Sequence, residues 1–230
     1  MDSIYTDGTY LRNNPDWHAD DSAWKAAHIA GILERNRIAP KTVCEVGCGA
    51  GEILVELSRR LAPGTRLTGY DISPNAYAIC SRKAGPNLEF RLGNVLEEDA
   101  SFDLAMAIDV FEHVEDYFAF LRAMRGKASY KIFHIPLELS ALWVARPSPL
   151  IRQRRSVGHI HHFCKETALA SLEDTGYRVI DHCYTAGATD LGGHGGKSQV
   201  LKWPRKALYK LDPDAAARIL GGYSLLVLAR

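Results

Sequence analysis

Seven consecutive residues carry the strongest chemical signal in the chain: Glu45-Val46-Gly47-Cys48-Gly49-Ala50-Gly51. They follow a short apolar run and open a segment with helical spacing, the context a nucleotide-cradling turn requires. Glycines let the chain turn sharply and let a ligand approach the backbone with no Cβ in the way. A dinucleotide fingerprint would need glycine at position 52, where this chain has Glu52. A carboxylate there also repels a pyrophosphate, which favours the positive end of a helix. The expected ligand therefore has no diphosphate. Asp71 lies twenty residues after Gly51. A carboxylate at that distance can accept both hydroxyls of a ribose, each charge-assisted bond contributing about 1.5–3 kcal/mol. Glu45 suits a cationic group, directly or through a water.

The elements that must position these residues alternate. Ala23 to Glu34 has helical spacing behind the capping residues Asp20, Asp21 and Ser22, and Pro40 ends it. Strands are expected at Thr42–Val46, Arg66–Tyr70, Leu88–Leu92, Phe102–Ile108 and Tyr130–Ile135. Helices are expected between them at Glu52–Leu61, Pro74–Lys83 and Tyr117–Met124. Such alternation implies a parallel sheet with helices on both faces. A helix at Lys165–Glu173 and strands at Tyr177–Tyr184 and Ser224–Leu228 follow, separated by two long connections containing Trp, Leu and Pro. Ordered capping elements are expected there.

Composition fits this class. The 230 residues are 47% hydrophobic and 24% charged, with 28 Lys+Arg against 27 Asp+Glu for a net charge of +1. This excludes a disordered chain and a general polyanion binder. Cys44, Cys48, Cys80, Cys164 and Cys183 are scattered and form no Cys-x-x-Cys pair. Neither a disulfide framework nor a cysteine zinc site is indicated. The first residues lack the basic and apolar regions of a secretory signal, and no apolar run is long enough to span a bilayer. A cytoplasmic setting is expected.

Glu45-x-Gly-x-Gly-x-Gly51 with Asp71 resembles the class I S-adenosylmethionine-dependent methyltransferases. Phe102-Asp103-Leu104-Ala105-Met106-Ala107-Ile108-Asp109-Val110-Phe111-Glu112-His113-Val114 is similar to their fourth strand and the loop after it. The resemblance covers about Thr42 to Ile135, and more loosely Phe163 to Tyr184 and the final strand. It implies a Rossmann-like, doubly wound α/β fold with a mostly parallel seven-stranded sheet. It also implies the cofactor S-adenosyl-L-methionine, with S-adenosyl-L-homocysteine as product. By the same resemblance Gly47, Gly49 and Gly51, with Cys48 between them, pass beneath the methionine part. Asp71 holds the ribose, Ile72 packs on the adenine, and Asp109 lines the cofactor from the other side. Where many members have an acidic residue near the adenine amine, this chain has Asn94, which brings no charge.

Methyl transfer from a sulfonium mainly requires alignment of the acceptor, and positioning can supply about 7–11 kcal/mol. A base is needed only for an acceptor that is protonated at neutral pH. Three histidines are catalytic candidates: His113 after the fourth strand, His134 at the end of the fifth, and His161 in Gly158-His159-Ile160-His161-His162-Phe163. Each has a structural alternative: His113 as a structural residue after the fourth strand, His134 packed under a cap, and the cluster serving as entry to the following helix. Adjacent His161 and His162 on an extended chain point opposite ways, so no metal site is expected. His159 is a candidate for the acceptor site. Arg154 and Arg155, in a stretch with Arg146 and Arg152 and no acidic residue, are candidates for binding an anionic acceptor through guanidinium forks. A solvated basic surface is the alternative. Tyr5, Tyr10, Trp17, His18, Trp24 and Lys25 suggest an N-terminal lid bringing Lys25 toward the cofactor, or simple helix packing.

The expectation is one domain, with residues 1–39 as cap or lid, 40–136 as cofactor-binding core, and 137–164 and 185–222 as acceptor-side insertions. The expected reaction is methylation of a small molecule at oxygen, nitrogen or carbon. A methyltransferase acting on RNA or protein, and a non-catalytic cofactor-binding protein, are the alternatives. DNA amino-methylation is disfavoured because the loop after the fourth strand reads Ile108-Asp109-Val110-Phe111-Glu112 and lacks the Asn/Asp-Pro-Pro-Tyr/Phe signature. Oligomeric state is open.

Overall fold

The computed structural model describes residues 19–146, 148–191 and 196–230. Tyr5, Tyr10, Trp17, His18 and His194 lie outside the described residues. A short 3-10 turn, Ala19–Asp21, leads into α1 (Ser22–Arg35), and the chain then alternates β1 (Thr42–Val46), α2 (Glu52–Ser58), β2 (Arg66–Asp71), α3 (Pro74–Cys80), β3 (Leu88–Leu92), β4 (Phe102–Ile108), α4 (Tyr117–Arg125) and β5 (Ala128–Leu137). The first long connection holds α5 (Ala141–Val144) and α6 (Ser148–Ser156). Then come α7 (Lys165–Asp174) and β6 (Val179–Thr185). The second long connection holds α8 (Gly187–Asp190), α9 (Gly196–Leu211) and α10 (Pro213–Leu220), before β7 (Tyr223–Ala229).

The seven strands form one sheet in the order β3-β2-β1-β4-β5-β7-β6. All neighbours are parallel except β7, which runs antiparallel to both β5 and β6. The central strand β4 (FDLAMAI), covered on both faces, reads as a near-continuous apolar run, as buried parallel strands do, whereas the edge strands β3 and β6 alternate. The alternation of side chains along β4 shows how each face is used. Leu104 and Met106 join a core with Ala26, Ile29 and Ile32 of α1 and Leu54 and Leu57 of α2. Ala105 and Ala107 join the opposite core with Leu121 and Met124 of α4, Ala168 and Leu172 of α7, and Ala216 of α10. The small alanines there leave room for the edge-to-face rings of Phe111, Phe133 and Phe163.

Helix starts follow local chemistry. Ser73 caps Ala76 N with Pro74 in the first turn, Asp116 caps Ala119 N, and Asp212 caps Ala215 N ahead of Pro213. The start of α1 departs from expectation. Asp21 occupies the cap position but makes no side-chain cap bond. It pairs instead with Lys25 one turn later, at 2.8 Å. Burial of that ammonium makes a charged partner worth more than a backbone cap. β6 begins at Val179, two residues later than expected. Tyr177 is held out of the ladder, its buried hydroxyl donating to Leu121 O at 2.6 Å.

Candidate functional site

A cavity of about 590 Å³ opens at the carboxyl ends of β1, β2, β4 and β5. Ligands of open α/β sheets bind at this edge. β1 delivers Glu45 and the glycine turn, β2 delivers Asp71 and Ile72, and Gly93-Asn94 follows β3. Asp109 and His113 follow β4, His134 comes from β5, and Lys25 reaches in from α1. Every cofactor candidate named from the sequence lines this space: Lys25, Glu45, Gly47, Cys48, Gly49, Gly51, Asp71, Ile72, Asn94 and Asp109.

The glycine turn is built by backbone constraint. Gly47 and Cys48 N–H groups both donate to Tyr70 O, at 2.8 and 2.9 Å, which locks the turn to β2. Gly51 precedes α2 at φ +79, in the left-handed region, and a Cβ there would stand 2.5 Å from Phe90 Cε1. Gly69, in the middle of β2, solves the adjoining problem: a Cβ on it would meet Phe90 Cδ1 at 2.7 Å and Cys48 Sγ at 2.8 Å. Sequence reading missed Gly69, because a glycine inside a strand carries no motif of its own. Glu52, lining the same mouth, pairs with Lys83 at 2.5 Å.

Asp71 is buried. One carboxylate oxygen accepts Gly49 N and the other Ser73 N, both at 2.8 Å. Burial raises its pKa, and these two N–H groups pull it back. A carboxylate has about four lone-pair sites, so two further acceptor positions are available for hydroxyls. Ile72, half exposed at 51%, offers an apolar surface beside it. Asn94 is committed locally. Its Oδ1 accepts Leu96 N at 3.1 Å and its Nδ2 donates to Glu97 at 2.9 Å. Glu45 differs from all of these. It is only 2% exposed, its Oε2 has no hydrogen-bond partner among the described residues, and burial pushes its pKa up to about 8.

A charged chain of side chains crosses the floor. Lys25 Nζ contacts Asp21 and Asp109, each at 2.8 Å. Asp109, held at φ +53, uses its other oxygen to accept His134 Nδ1 at 2.6 Å. His134 Nε2 lies 2.8 Å from Thr185 Oγ1. Burial would lower the pKa of Lys25, but Asp109 and Asp21 hold it above its ordinary value. Burial would raise Asp109, and His134 and Lys25 hold it far below the usual carboxylate range. His134 therefore lines the cavity with both ring nitrogens engaged, which suits a positioning role.

The acceptor-side candidates separate. His113 and His159 line the cavity with their rings edge to face, 4.7 Å between centroids. Burial, then the neighbouring His159, lowers the His113 pKa to about 4. His159 Nδ1 donates to Glu138 Oε1 at 2.8 Å and His162 Nδ1 to Glu138 Oε2 at 2.5 Å, while Gln153 Nε2 donates to Oε1 at 3.1 Å. Burial works against the Glu138 charge, but these donors bring its pKa below the ordinary value. Glu112 is fully buried, and burial, then the Asp109 charge, raises its pKa well above normal. Neither Glu112 nor Glu138 was singled out from the sequence, although Glu138 lies two residues past Pro136 at a strand end, a position that could have flagged it.

Three candidates are not on this cavity. His161 turns away, its Nε2–H donating to Val114 O at 3.0 Å and Glu115 O at 3.2 Å, so it clasps the loop after β4. Arg154 and Arg155 are exposed on α6, and that helix and its end present Gln153 and Val157 to the cavity. The helical turn explains the correction: successive residues fan around α6, so a cavity-facing Gln153 sends the next two side chains elsewhere.

Comparison with known proteins bears on the fold and the family. Over 190 residues the chain is 27% identical to a ubiquinone biosynthesis O-methyltransferase of Xanthomonas euvesicatoria pv. vesicatoria, covering 72% of this chain and 76% of that one. A protein of the same description from Methylocella silvestris is 35% identical over 101 residues, 39% of this chain and 38% of the relative. The crystal structure of magnesium protoporphyrin IX methyltransferase from Synechocystis PCC 6803 with bound SAH superposes with a TM-score of 0.61 at 16% identity, over 90% of this chain and 82% of that one. It shares the fold. Residues 18–182 match the model of the family described as a methyltransferase domain, and the chain belongs to that family.

Proposed function

We propose that the chain is an S-adenosyl-L-methionine-dependent methyltransferase acting on a small-molecule acceptor. The observation that carries this reading is the buried Glu45 carboxylate, whose Oε2 has no hydrogen-bond partner among the described residues, sharing one cavity with the Gly47–Gly51 turn and Asp71. A buried charge without a partner is costly, and a cationic ligand supplies the partner. The cradle fits the cofactor residue by residue. Gly47, Gly49 and Gly51 give a Cβ-free bed for the methionine part, Asp71 has acceptor capacity left for the ribose hydroxyls, and Ile72 offers the adenine an apolar contact. When bound, the cofactor supplies a methyl group already activated on a sulfonium.

The protein's own contribution is then alignment and exclusion of water. Lys25, Asp109, His134 and Thr185 form a rigid floor spanning α1, β4, β5 and β6. His113 and His159 bound the part of the cavity where the acceptor sits. Relatives named for ubiquinone biosynthesis support a small organic acceptor. The anionic-acceptor expectation loses its basis, since Arg154 and Arg155 lie off the cavity.

Adenosylhomocysteine at one hundred times its Kd should stabilise the folded chain by about 2.7 kcal/mol. Thermal unfolding with and without it tests the cofactor. Stabilisation by NAD with no response to adenosylhomocysteine would overturn the reading. Incorporation of labelled methyl into a panel of small hydroxylated or amino acceptors tests the substrate class.

A further inference from the structure

The acceptor end of the cavity holds a group of side chains that cofactor binding does not use. One ligating atom each from Glu112, His113 and His159 lie within 4.8 Å of one another. Two independent features make this group more than a coincidence of residue types. Glu112 is fully buried, and among the described residues neither carboxylate oxygen has a hydrogen-bond partner outside its own backbone. His159 already has the outer support typical of a metal-binding imidazole: its Nδ1–H donates to the buried Glu138 carboxylate, which fixes the tautomer and leaves Nε2 as the ligating atom. His113 is likewise bonded to the Gly158 backbone.

The backbone holds these parts in register. Glu112 O accepts both Ile160 N and His161 N at 3.0 Å. Those two bonds fasten the histidine-rich loop onto the turn after β4, so His159 stands next to His113. Gln153 and His162 complete the shell around Glu138.

We infer that Glu112, His113 and His159 form a binding site for one divalent transition-metal ion at the acceptor end of the cavity, with Glu138 as the positioning residue behind His159. Two imidazoles and one carboxylate are a donor set suited to a borderline ion such as Zn²⁺. With metal–ligand bonds of about 2.0–2.2 Å, ligand atoms in a tetrahedral site stand about 3.3–3.5 Å apart. The present spacing closes to that with side-chain adjustments of about 1 Å. Three protein ligands leave one position, and because His113 and His159 line the cavity, that position opens toward the acceptor. A hydroxyl bound there would lose its proton more readily. This role rests on the methyltransferase reading, whereas the metal site itself does not.

The site also differs from the sequence expectation. That expectation turned on the adjacent His161 and His162, which point opposite ways along an extended chain. The ligands come instead from two loops that only the fold brings together.

The test uses the full chain, stripped with a chelator and dialysed, and titrated with Zn²⁺ by calorimetry and with Co²⁺ by visible absorption. Wild type should bind one ion per chain, and Co²⁺ should give the intense d–d bands of a low-coordinate nitrogen–oxygen site. The isosteric Glu112→Gln and the variant His159→Ala should each weaken binding by about 100-fold or more, and Glu138→Gln by about 10–100-fold. His182→Ala, at an exposed position on β6, should bind as wild type does. Adenosylhomocysteine affinity is measured on the same samples. Its retention in the variants shows that they are folded and separates failure of the metal site from failure of the cofactor reading. Absence of saturable one-to-one binding in wild type, or wild-type affinity in both Glu112→Gln and His159→Ala, would overturn the site.

Discussion

Replacing Glu45 with Gln keeps the shape of the cavity and removes the buried carboxylate at the end of β1 whose Oε2 has no hydrogen-bond partner among the described residues. In the unliganded chain burial raises the Glu45 pKa from 4.5 to about 8. That change corresponds to roughly 5 kcal/mol of disfavour for the charged form. At pH 7 about nine-tenths of the chains carry Glu45 neutral. A cationic ligand must draw that proton off, at a cost of about 1.4 kcal/mol at pH 7 and about 2.7 kcal/mol at pH 6. Affinity for the sulfonium cofactor should therefore rise roughly tenfold from pH 6 to 7 and level off above pH 8. Calorimetry at pH 7 in buffers of different ionisation enthalpy should show close to one proton released. In Glu45→Gln both effects should vanish, and affinity at pH 8 should fall by about 10- to 150-fold, the loss of one charge-assisted bond of about 1.5–3 kcal/mol. The sign for stability runs the other way. Between the unfolded pKa and about 8 the folded chain holds the extra proton, so unliganded stability falls as pH rises through that window. Glu45→Gln should flatten that fall. A wild-type affinity that is constant from pH 6 to 8 with no proton release would refute the reasoning.

Three further outcomes can be measured. Gly51→Ala places a Cβ against Phe90 at a left-handed backbone position, and urea unfolding should show a loss of about 2–4 kcal/mol; a loss under 0.5 kcal/mol would contradict the cradle described above. Asp109→Ala leaves the buried Lys25 with Asp21 alone and removes the partner of His134, so it should cost about 3–5 kcal/mol in the same assay; Lys25→Met in that background should restore part of it. Charge reversal of Arg154 and Arg155 together, at exposed positions off the cavity, should change stability by no more than about 0.5 kcal/mol and leave the acceptor KM within twofold; a tenfold rise would place them on the acceptor's path.

The residues proposed to hold the cofactor were legible in the sequence because they are consecutive or fall at strand ends, and the fold gathers them on one cavity. Glu45 to Gly51 is a single turn, and Asp71, Asn94 and Asp109 each follow a strand that apolar runs make visible. Strands β1, β3 and β4 match their expected bounds for the same reason. The residues proposed for the acceptor side were less legible, because which of them reach the cavity depends on which side of a helix or loop faces inward. Arg154, Arg155 and His161 have the right chemistry on the wrong face. Glu112 has no local signature and Glu138 only its place just past a strand end, and the contacts that join them to His159 and His162 exist only once the loop at 158–163 packs on the turn after β4. The helices α5, α6, α8, α9 and α10 were expected only as ordered caps. α5 and α8 are only four residues long, and α5 and α6 bury no residue, so no apolar helical face marks them in the sequence.

The position of β7 carries a consequence for the order of events during synthesis. This strand lies between β5 and β6, with His134 aligned to Leu226 and Thr185 to Ser224. The His134–Thr185 bond therefore joins two strands that are not neighbours, across the one translated after both. Until residues 223–229 have left the ribosome, β5 and β6 each present an unpaired edge, and the floor beneath the cofactor has no means of closing. Pairing at such sequence separation is slow, and open edges invite association with other chains. In pulse-labelled hydrogen exchange during refolding, amides of β5 and β6 should gain protection together with those of β7. The floor of the cavity is thus closed by a strand translated after both of the strands that carry His134 and Thr185.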